Sequence, residues 1–224
     1  MQNVIEPIGY IRSAYKSKFG VPRQSGLADT SAVIEMLPQY GVPEAFRGIE
    51  EFSYIWLLWD FHQCNSEGWS PTVRPPKLGG NKRVGVFATR SPYRPNSIGL
   101  SCVKLDSVEC ANGRVLLNVR GADLMDGTPI YDIKPYLPYA DSRPDAEGGF
   151  ADRVEQKLLD VRYDCPCMLP EAVRGQLDIA LAQDPRPSYH HDEARVYGMD
   201  FDKYNVRFTV SENCVTVVEV RELQ

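Results

Sequence analysis

Seven basic side chains, Arg74, Lys77, Lys82, Arg83, Arg90, Arg94 and Lys104, fall between Gly68 and Leu105 with no Asp or Glu among them. The whole chain has a formal net charge of −5, so this stretch is a local field suited to an anion. A phosphate-bearing partner is the natural class. Within it, a loop bearing Arg90, Ser91, Tyr93, Arg94, Asn96 and Ser97 is stiffened by Pro92 and Pro95, which remove backbone freedom and hold side chains in place. Two other polar groups have positions that favour chemistry. Pro22-Arg23-Gln24 lies in the long segment Ser13–Leu27, where Phe19 and Val21 offer anchors, and is read as facing a ligand. His62-Gln63-Cys64 follows an apolar run, and polar groups at the ends of rigid elements commonly line sites.

The elements that must position these groups are mostly short strands. Val4–Arg12 reads as a strand in which Pro7 suggests an edge or a bulge, Ala32–Leu37 as a second, and Pro43–Glu51 as a short helical turn. Phe52–Phe61, rich in aromatic and β-branched residues, reads as a buried strand, and Val84–Ala88 is strand-like. Ile98–Cys110 and Arg114–Arg120 flank Asn112-Gly113, the dipeptide that favours tight hairpins. Asp126-Gly127 is a turn before a strand over Pro129–Lys134. Together these predict a mainly β protein whose core domain is a small antiparallel β-barrel. The polar segment 141–150 reads as a linker between residues 1–140 and a smaller C-terminal α+β domain, 151–224. That domain holds a helix over Pro170–Ala182, with Pro170 in its first turn, and strands near Arg195–Phe201, Asn205–Val210 and Cys214–Val220.

Composition and motif spacing exclude several classes. No window approaches the about 20 apolar residues of a membrane span, and the start MQNVIEPIGY lacks a secretory build, so cytoplasmic residence is expected. The six cysteines read as free thiols. Gly79-Gly80 before Lys82 does not match a phosphate-binding P-loop, and no dinucleotide-binding glycine pattern precedes a helix. Cys165-x-Cys167 lacks a second ligand pair, and the adjacent His190 and His191 would point apart on a strand and read as polar side chains facing solvent, so no metal site is expected.

Several stretches, in order, resemble the TrmO (YaeB-like) family of tRNA methyltransferases. They are Ile8-Gly9-x-Ile11-Arg12-Ser13, Val21-Pro22-Arg23-Gln24, Phe61-His62-Gln63, Arg74-Pro75-Pro76, Phe87-Ala88-Thr89-Arg90-Ser91, Arg94-Pro95-Asn96, Asp126-Gly127-Thr128-Pro129 and Asp132-Ile133-Lys134-Pro135-Tyr136. Asp184-Pro185-Arg186-Pro187 resembles the C-terminal extension of bacterial members. The resemblance implies a homodimeric β-barrel enzyme that uses S-adenosyl-L-methionine. Its substrate would be the N6-threonylcarbamoyladenosine beside the anticodon of threonine tRNA. By similarity Pro22, Arg23, Gln24, His62, Gln63, Arg90, Leu100, Asp126, Gly127, Thr128 and Pro129 would contact the methyl donor.

Methyl transfer from a sulfonium is an in-line displacement, so the protein mainly orients donor and acceptor. The donor carboxylate suits Arg23 or Arg90, and its amino group or ribose suits Asp126 and Gln24. The acceptor nitrogen must lose its proton, and Asp126, His62 and Asp132 are all open as the base. Arg90 and Asn96 are expected to be indispensable. Tyr93 and Tyr136 are expected to stack on a splayed base, while Lys77, Lys82, Arg83, Arg94 and Lys134 meet phosphates or the threonyl carboxylate. Two other readings stay open on the residues: a nonenzymatic RNA- or nucleotide-binding barrel, and a methyltransferase acting on a small molecule.

Overall fold

The computed structural model describes residues 4–64, 68–75, 78, 82–111, 113–153, 157–166, 169–186 and 192–223. Lys77, Cys167, His190 and His191 therefore lie outside the described residues, as do Gly79-Gly80 and the Asn112 turn residue.

Six strands close into an antiparallel barrel: β1 (Gly9–Ser13), β2 (Ser31–Met36), β3 (Tyr54–Asp60), β6 (Ile98–Ala111), β7 (Arg114–Arg120) and β8 (Pro129–Pro135), in spatial order β1-β2-β7-β6-β3-β8. Period-2 alternation decides which faces turn inward. Ile55, Leu57 and Trp59 of β3 are buried, as are Val115, Leu117 and Val119 of β7, and they meet Ile11, Ile34, Val103 and Ile130 in one core. Each such side chain removed from water stabilises the barrel by about 1.5–3 kcal/mol. Closure leaves no sheet edge unpaired. Register shifts fall in β6 between Leu105 and Ser107 and in the β3–β8 pairing between Leu58 and Trp59, and such bulges re-aim the strand beyond them.

Beyond the barrel, β10 (Tyr197–Phe201), β11 (Tyr204–Ser211), β12 (Cys214–Glu222) and the short β9 (Asp160–Tyr163) form a second sheet. It packs with helix α2 (Glu171–Ala182) around a separate core that includes Leu177, Leu181, Phe201, Phe208 and Val217. A two-stranded ribbon of β4 (Thr72–Val73) and β5 (Val84–Gly85) and a four-residue helix α1 (Pro138–Asp141) complete the elements used below.

Four local readings differ from expectation. Val4 and Ile5 are exposed, and β1 begins only at Gly9, past Pro7. The apolar run Val84–Ala88 is strand for two residues and then turns as a 3-10 segment, burying Val86 and exposing Phe87. Pro170 caps α2 and is not part of its first turn. β9 is a strand whose partner, β12, lies about fifty residues away and runs parallel to it. Cys64, Cys102, Cys110 and Cys214 are free thiols.

The first long loop ties the two cores together. Tyr15 bridges Phe201, with the rings edge-on at 5.6 Å, and Phe19 stacks on Tyr197 and Phe208 at 6.2 Å. The backbone N–H of Asp202 donates to the Ala14 carbonyl at 2.7 Å, and Gln183 Nε2 donates to the Leu27 carbonyl at 2.7 Å. Ser31 N–H closes the seam on Gln176 Oε1 at 3.0 Å. The anchors Phe19 and Val21 thus sit in the C-terminal core, not in the barrel.

Candidate functional site

A cleft of about 440 Å³ opens at the rim of the barrel where β3 ends and β6 begins. That volume suits a small-molecule ligand. Five segments supply its walls: Lys18 to Gln24, Trp59 to Cys64, Thr89 to Arg94, Ile98 to Leu100, and Asp123 with Met125 and Thr128.

Each segment is fixed by a local device. On the first loop, Lys18 Nζ donates to the Gln63 carbonyl at 2.9 Å, and Arg23 Nη2 donates to the Arg186 carbonyl at 3.3 Å. The end of β3 turns sharply, with Cys64 N–H donating to the Phe61 carbonyl at 2.7 Å, and this turn carries His62 and Gln63 over the rim. The proline-pinned loop is cross-linked from within. Arg94 Nη1 donates to the carbonyls of Val86 and Thr89 at 3.1 and 2.8 Å, and Ser97 Oγ donates to the Pro92 carbonyl at 3.1 Å. That latch leaves Arg90 projecting, and its Nη1 donates to Gln24 Oε1 at 2.6 Å. The fourth wall depends on Gly99, because a Cβ there would sit inside the Trp59 indole. On the fifth, Thr128 is buried and its Oγ1 donates to the Met125 carbonyl at 2.8 Å, while Gly127 takes a positive φ of 74° that closes the turn.

Of the residues expected at the donor, Pro22, Arg23, Gln24, His62, Gln63, Arg90, Leu100 and Thr128 line this cleft. Asp126, Gly127 and Pro129 do not line it. The Asp126 carboxylate accepts the Ser13 N–H at 3.1 Å and pairs with Lys16 at 3.0 Å, which ties the turn to the end of β1. Asp132 lies further along β8 and pairs with Lys134 at 2.7 Å. Asn96 is exposed and is not among the lining residues.

The expected RNA contacts divide. Arg94 lines the cleft and lies 5.3 Å from the Phe87 ring centroid. Lys82 and Arg83 are exposed on the neighbouring ribbon, where Arg83 Nε donates to Thr72 Oγ1 at 2.8 Å, and half-buried Tyr93 accepts Ser70 N–H on its carbonyl. Lys134 and Tyr136 sit on the barrel exterior. Lys134 is opposite Trp56, and the Tyr136 ring meets those of Trp56 and Tyr54 at 5.9 and 6.3 Å. Trp56 is three residues from Trp59, about 10 Å along a strand, so one chain does not bring this aromatic group into the cleft.

Sequence reasoning missed Lys18, Trp59, Phe61 and Asp123 as cleft residues. Asp123 is the most unusual of them. Its Oδ1 accepts the Ser101 hydroxyl at 2.5 Å, and Ser101 Oγ in turn accepts Trp59 Nε1–H at 2.9 Å. Burial pushes the Asp123 carboxyl above the ordinary carboxylate range, against the opposing hydrogen bonds from Ser101 and the backbone and the charge of Arg90. Its one signal in the sequence is an acid set among apolar Ala122, Leu124 and Met125. The cleft's other carboxylate, Asp60, is engaged by Tyr131, whose phenol is raised first by burial and then by Asp60 itself. With Lys18, Arg23, Arg90 and Arg94 against these two acids, the cleft favours an anionic group while keeping a buried carboxyl at its base.

Comparison with known proteins agrees with this architecture along almost the whole chain. Residues 10–142 match the tRNA-methyltransferase O N-terminal domain, and residues 150–223 match the TrmO C-terminal domain. An Escherichia coli K12 protein named tRNA (adenine(37)-N6)-methyltransferase is 45% identical over 223 residues, covering 92% of this chain and 93% of that protein. A Pseudomonas aeruginosa relative, RcsF, named provisionally as an S-adenosylmethionine-dependent methyltransferase, is 44% identical and covers 89% of each chain. A crystal structure of TrmO from Pseudomonas aeruginosa superposes with a TM-score of 0.79 at 34% identity, covering 99% of this chain and 100% of that one. With both domain matches in order and the barrel, the rim cleft and the C-terminal sheet in place, the chain belongs to the TrmO family.

Proposed function

We propose that this chain is a tRNA methyltransferase that carries the methyl group of S-adenosylmethionine to the exocyclic N6 of adenosine 37, and more narrowly to threonylcarbamoyladenosine beside the anticodon of threonine tRNA. The observation that carries the reading is the convergence in one rim cleft of Arg23, Gln24, His62, Gln63, Arg90, Leu100 and Thr128, drawn from five separated segments.

The residues present fit such a donor. When bound, S-adenosylmethionine supplies a methyl group activated by a sulfonium sulfur. Arg23 and Arg90 offer donors for a carboxylate, with Arg90 steadied by Gln24. Trp59, Phe61, Ile98 and Leu100 give the apolar wall that an adenosine needs, and the Trp59 and Phe61 rings lie 4.2 Å apart. The remaining work of the chain is to hold donor and acceptor in line and to exclude water. Outside the cleft, exposed Arg74, Lys82 and Arg83 support a path for RNA phosphate.

The test is direct. Pure protein with labelled donor is expected to methylate tRNA that carries threonylcarbamoylation and to leave tRNA lacking it unlabelled. Equal labelling of both would reject the narrower substrate, and no labelling of either would reject the activity. Affinity for that tRNA should also fall by about tenfold or more between 50 and 200 mM salt, since several phosphate counterions must be released.

Residues 1–140 are taken as the donor-binding unit, joined through a linker at 141–150 to a supporting unit at 151–224. The separate cores support this division. A homodimer is part of the same reading. Ile98 and Leu100, exposed at 37% and 51% on the cleft wall, support a second copy closing over the mouth. Sedimentation is expected to give twice the chain mass, and a monomer at micromolar concentration would reject it. Cytoplasmic residence is likewise proposed. Among the described residues no helix is long and apolar enough to cross a membrane.

A further inference from the structure

The geometry points to Asp123 as the group that takes the proton from the acceptor nitrogen when the methyl group arrives. This rests on the methyltransferase reading above.

The carboxylates near the cleft differ in what they are free to do. Asp126 is committed to Ser13 and Lys16, Asp132 to Lys134, and Asp60 faces Tyr131. Asp123 lines the cleft, and hydrogen bonds from the Ser101 hydroxyl and from the backbone N–H groups of Ser25 and of Asp123 itself fix its orientation without an ion pair among the described residues. Trp59 Nε1–H occupies a lone pair of Ser101 Oγ, so the Ser101 proton points at Asp123 Oδ1. The groups facing it are few. Arg90 approaches from the proline loop, Ser25 offers a backbone N–H, and behind it lies Tyr15, whose phenol is pushed up to about 12, first by burial, and stays neutral. Asp60 and His62 face the same cleft from the end of β3.

The step balances without another reactant. The acceptor nitrogen forms a bond to the methyl carbon as the sulfur–methyl bond breaks, and that electron pair stays on sulfur, leaving a neutral thioether. The N–H bond breaks with its electrons kept on nitrogen, and the proton passes to the Asp123 carboxylate. A sulfonium and a carboxylate therefore become a thioether and a carboxylic acid. Burial disfavours charge, so the desolvation that raises the proton affinity of Asp123 also favours a reaction that removes both charges. Asp126, His62 and Asp132 were open as bases on the sequence. Asp123 displaces them because it combines burial, a place on the cleft wall and a fixed orientation.

Three measurements decide it. In the protein alone, the carboxyl carbon of Asp123, assigned by its loss in Asp123→Asn, is expected to titrate above the ordinary aspartate range by NMR; a midpoint within or below that range overturns the proposal. Asp123→Asn should lower single-turnover methyl transfer by about 100-fold or more while S-adenosylmethionine binds calorimetrically within about threefold of wild type. A variant that transfers within about fivefold of wild type, or that loses the donor in step with its rate, overturns it. Ser101→Ala removes a hydrogen bond that favours the carboxylate, so the acidic limb of the rate profile should move to higher pH with its alkaline plateau still reached; a stationary limb overturns the proposal. This last arm decides the matter if Asp123→Asn does not fold. Failure of the wild type to methylate modified tRNA would sink the methyltransferase reading and this proposal together, whereas wild-type transfer with an undiminished Asp123→Asn variant sinks this proposal alone.

Discussion

Arg90→Ala is expected to lower methyl transfer by about 100- to 1,000-fold, the usual loss when one preorganised charged donor is removed from a reaction site. The side chain is exposed, and among the described residues it donates to Gln24 alone, so unfolding free energy should change by about 0.5 kcal/mol or less. The effect has two parts that can be separated. Loss of the guanidinium removes a partner for the donor carboxylate, which raises the donor's dissociation constant. It also removes a positive charge that lowers the proton affinity of Asp123, so any remaining activity should have its acidic limb at higher pH. Steady-state rates across pH with calorimetric donor binding would check both parts. A folded Arg90→Ala protein with wild-type rate and donor affinity would remove Arg90 from the site and favour a binding barrel without chemistry.

Gly99→Ala should damage both the barrel and the site, although the glycine contributes no functional group. The added methyl would fall within the Trp59 ring against Cδ2, Cε2 and Cζ2, and Trp59 has little room to yield because it is buried and packs on Phe61. Overpacking of that kind costs about 1–3 kcal/mol. Forcing the indole aside also strains the Trp59–Ser101 hydrogen bond, worth about 1 kcal/mol, and with it the orientation of Asp123. Urea denaturation should give a lower midpoint with an unchanged slope, accompanied by a drop in transfer rate below the new transition. An unaltered midpoint would mean that the indole does not rest on this glycine.

The barrel was legible because its strands obey period-2 alternation and the sequence between them carries turn formers such as Asp126-Gly127. The strand β9 was not, since a four-residue strand paired in parallel with a distant β12 has no local signal beyond ordinary composition. Val84–Ala88 misled because an apolar run does not say that its second half will turn and expose Phe87. For the site, the polar groups at rigid ends, Arg23, His62 and Arg90, could be marked by residue type and context. Asp123 could not, because its character comes from burial beside Ser101 and Trp59, residues far from it in the sequence and brought to it only by barrel closure. The placement of Phe19 and Val21 shows the same limit: they read as anchors, but nothing nearby in the sequence names the core that receives them.

That placement couples parts of the molecule that share no ligand. Among the described residues none of the cleft's lining comes from beyond Thr128, yet the segment presenting Arg23 and Gln24 is tied to the sheet of β10 to β12 through Tyr15 and Phe19, and to the stretch after α2 through the Arg186 carbonyl. An opening fluctuation of that distal sheet would carry the guanidinium of Arg23 away with it, so the occupancy of the rim depends on how rarely the far end of the chain breathes. Seen this way the tail behaves as ballast for a grip that it reaches through the Arg186 carbonyl.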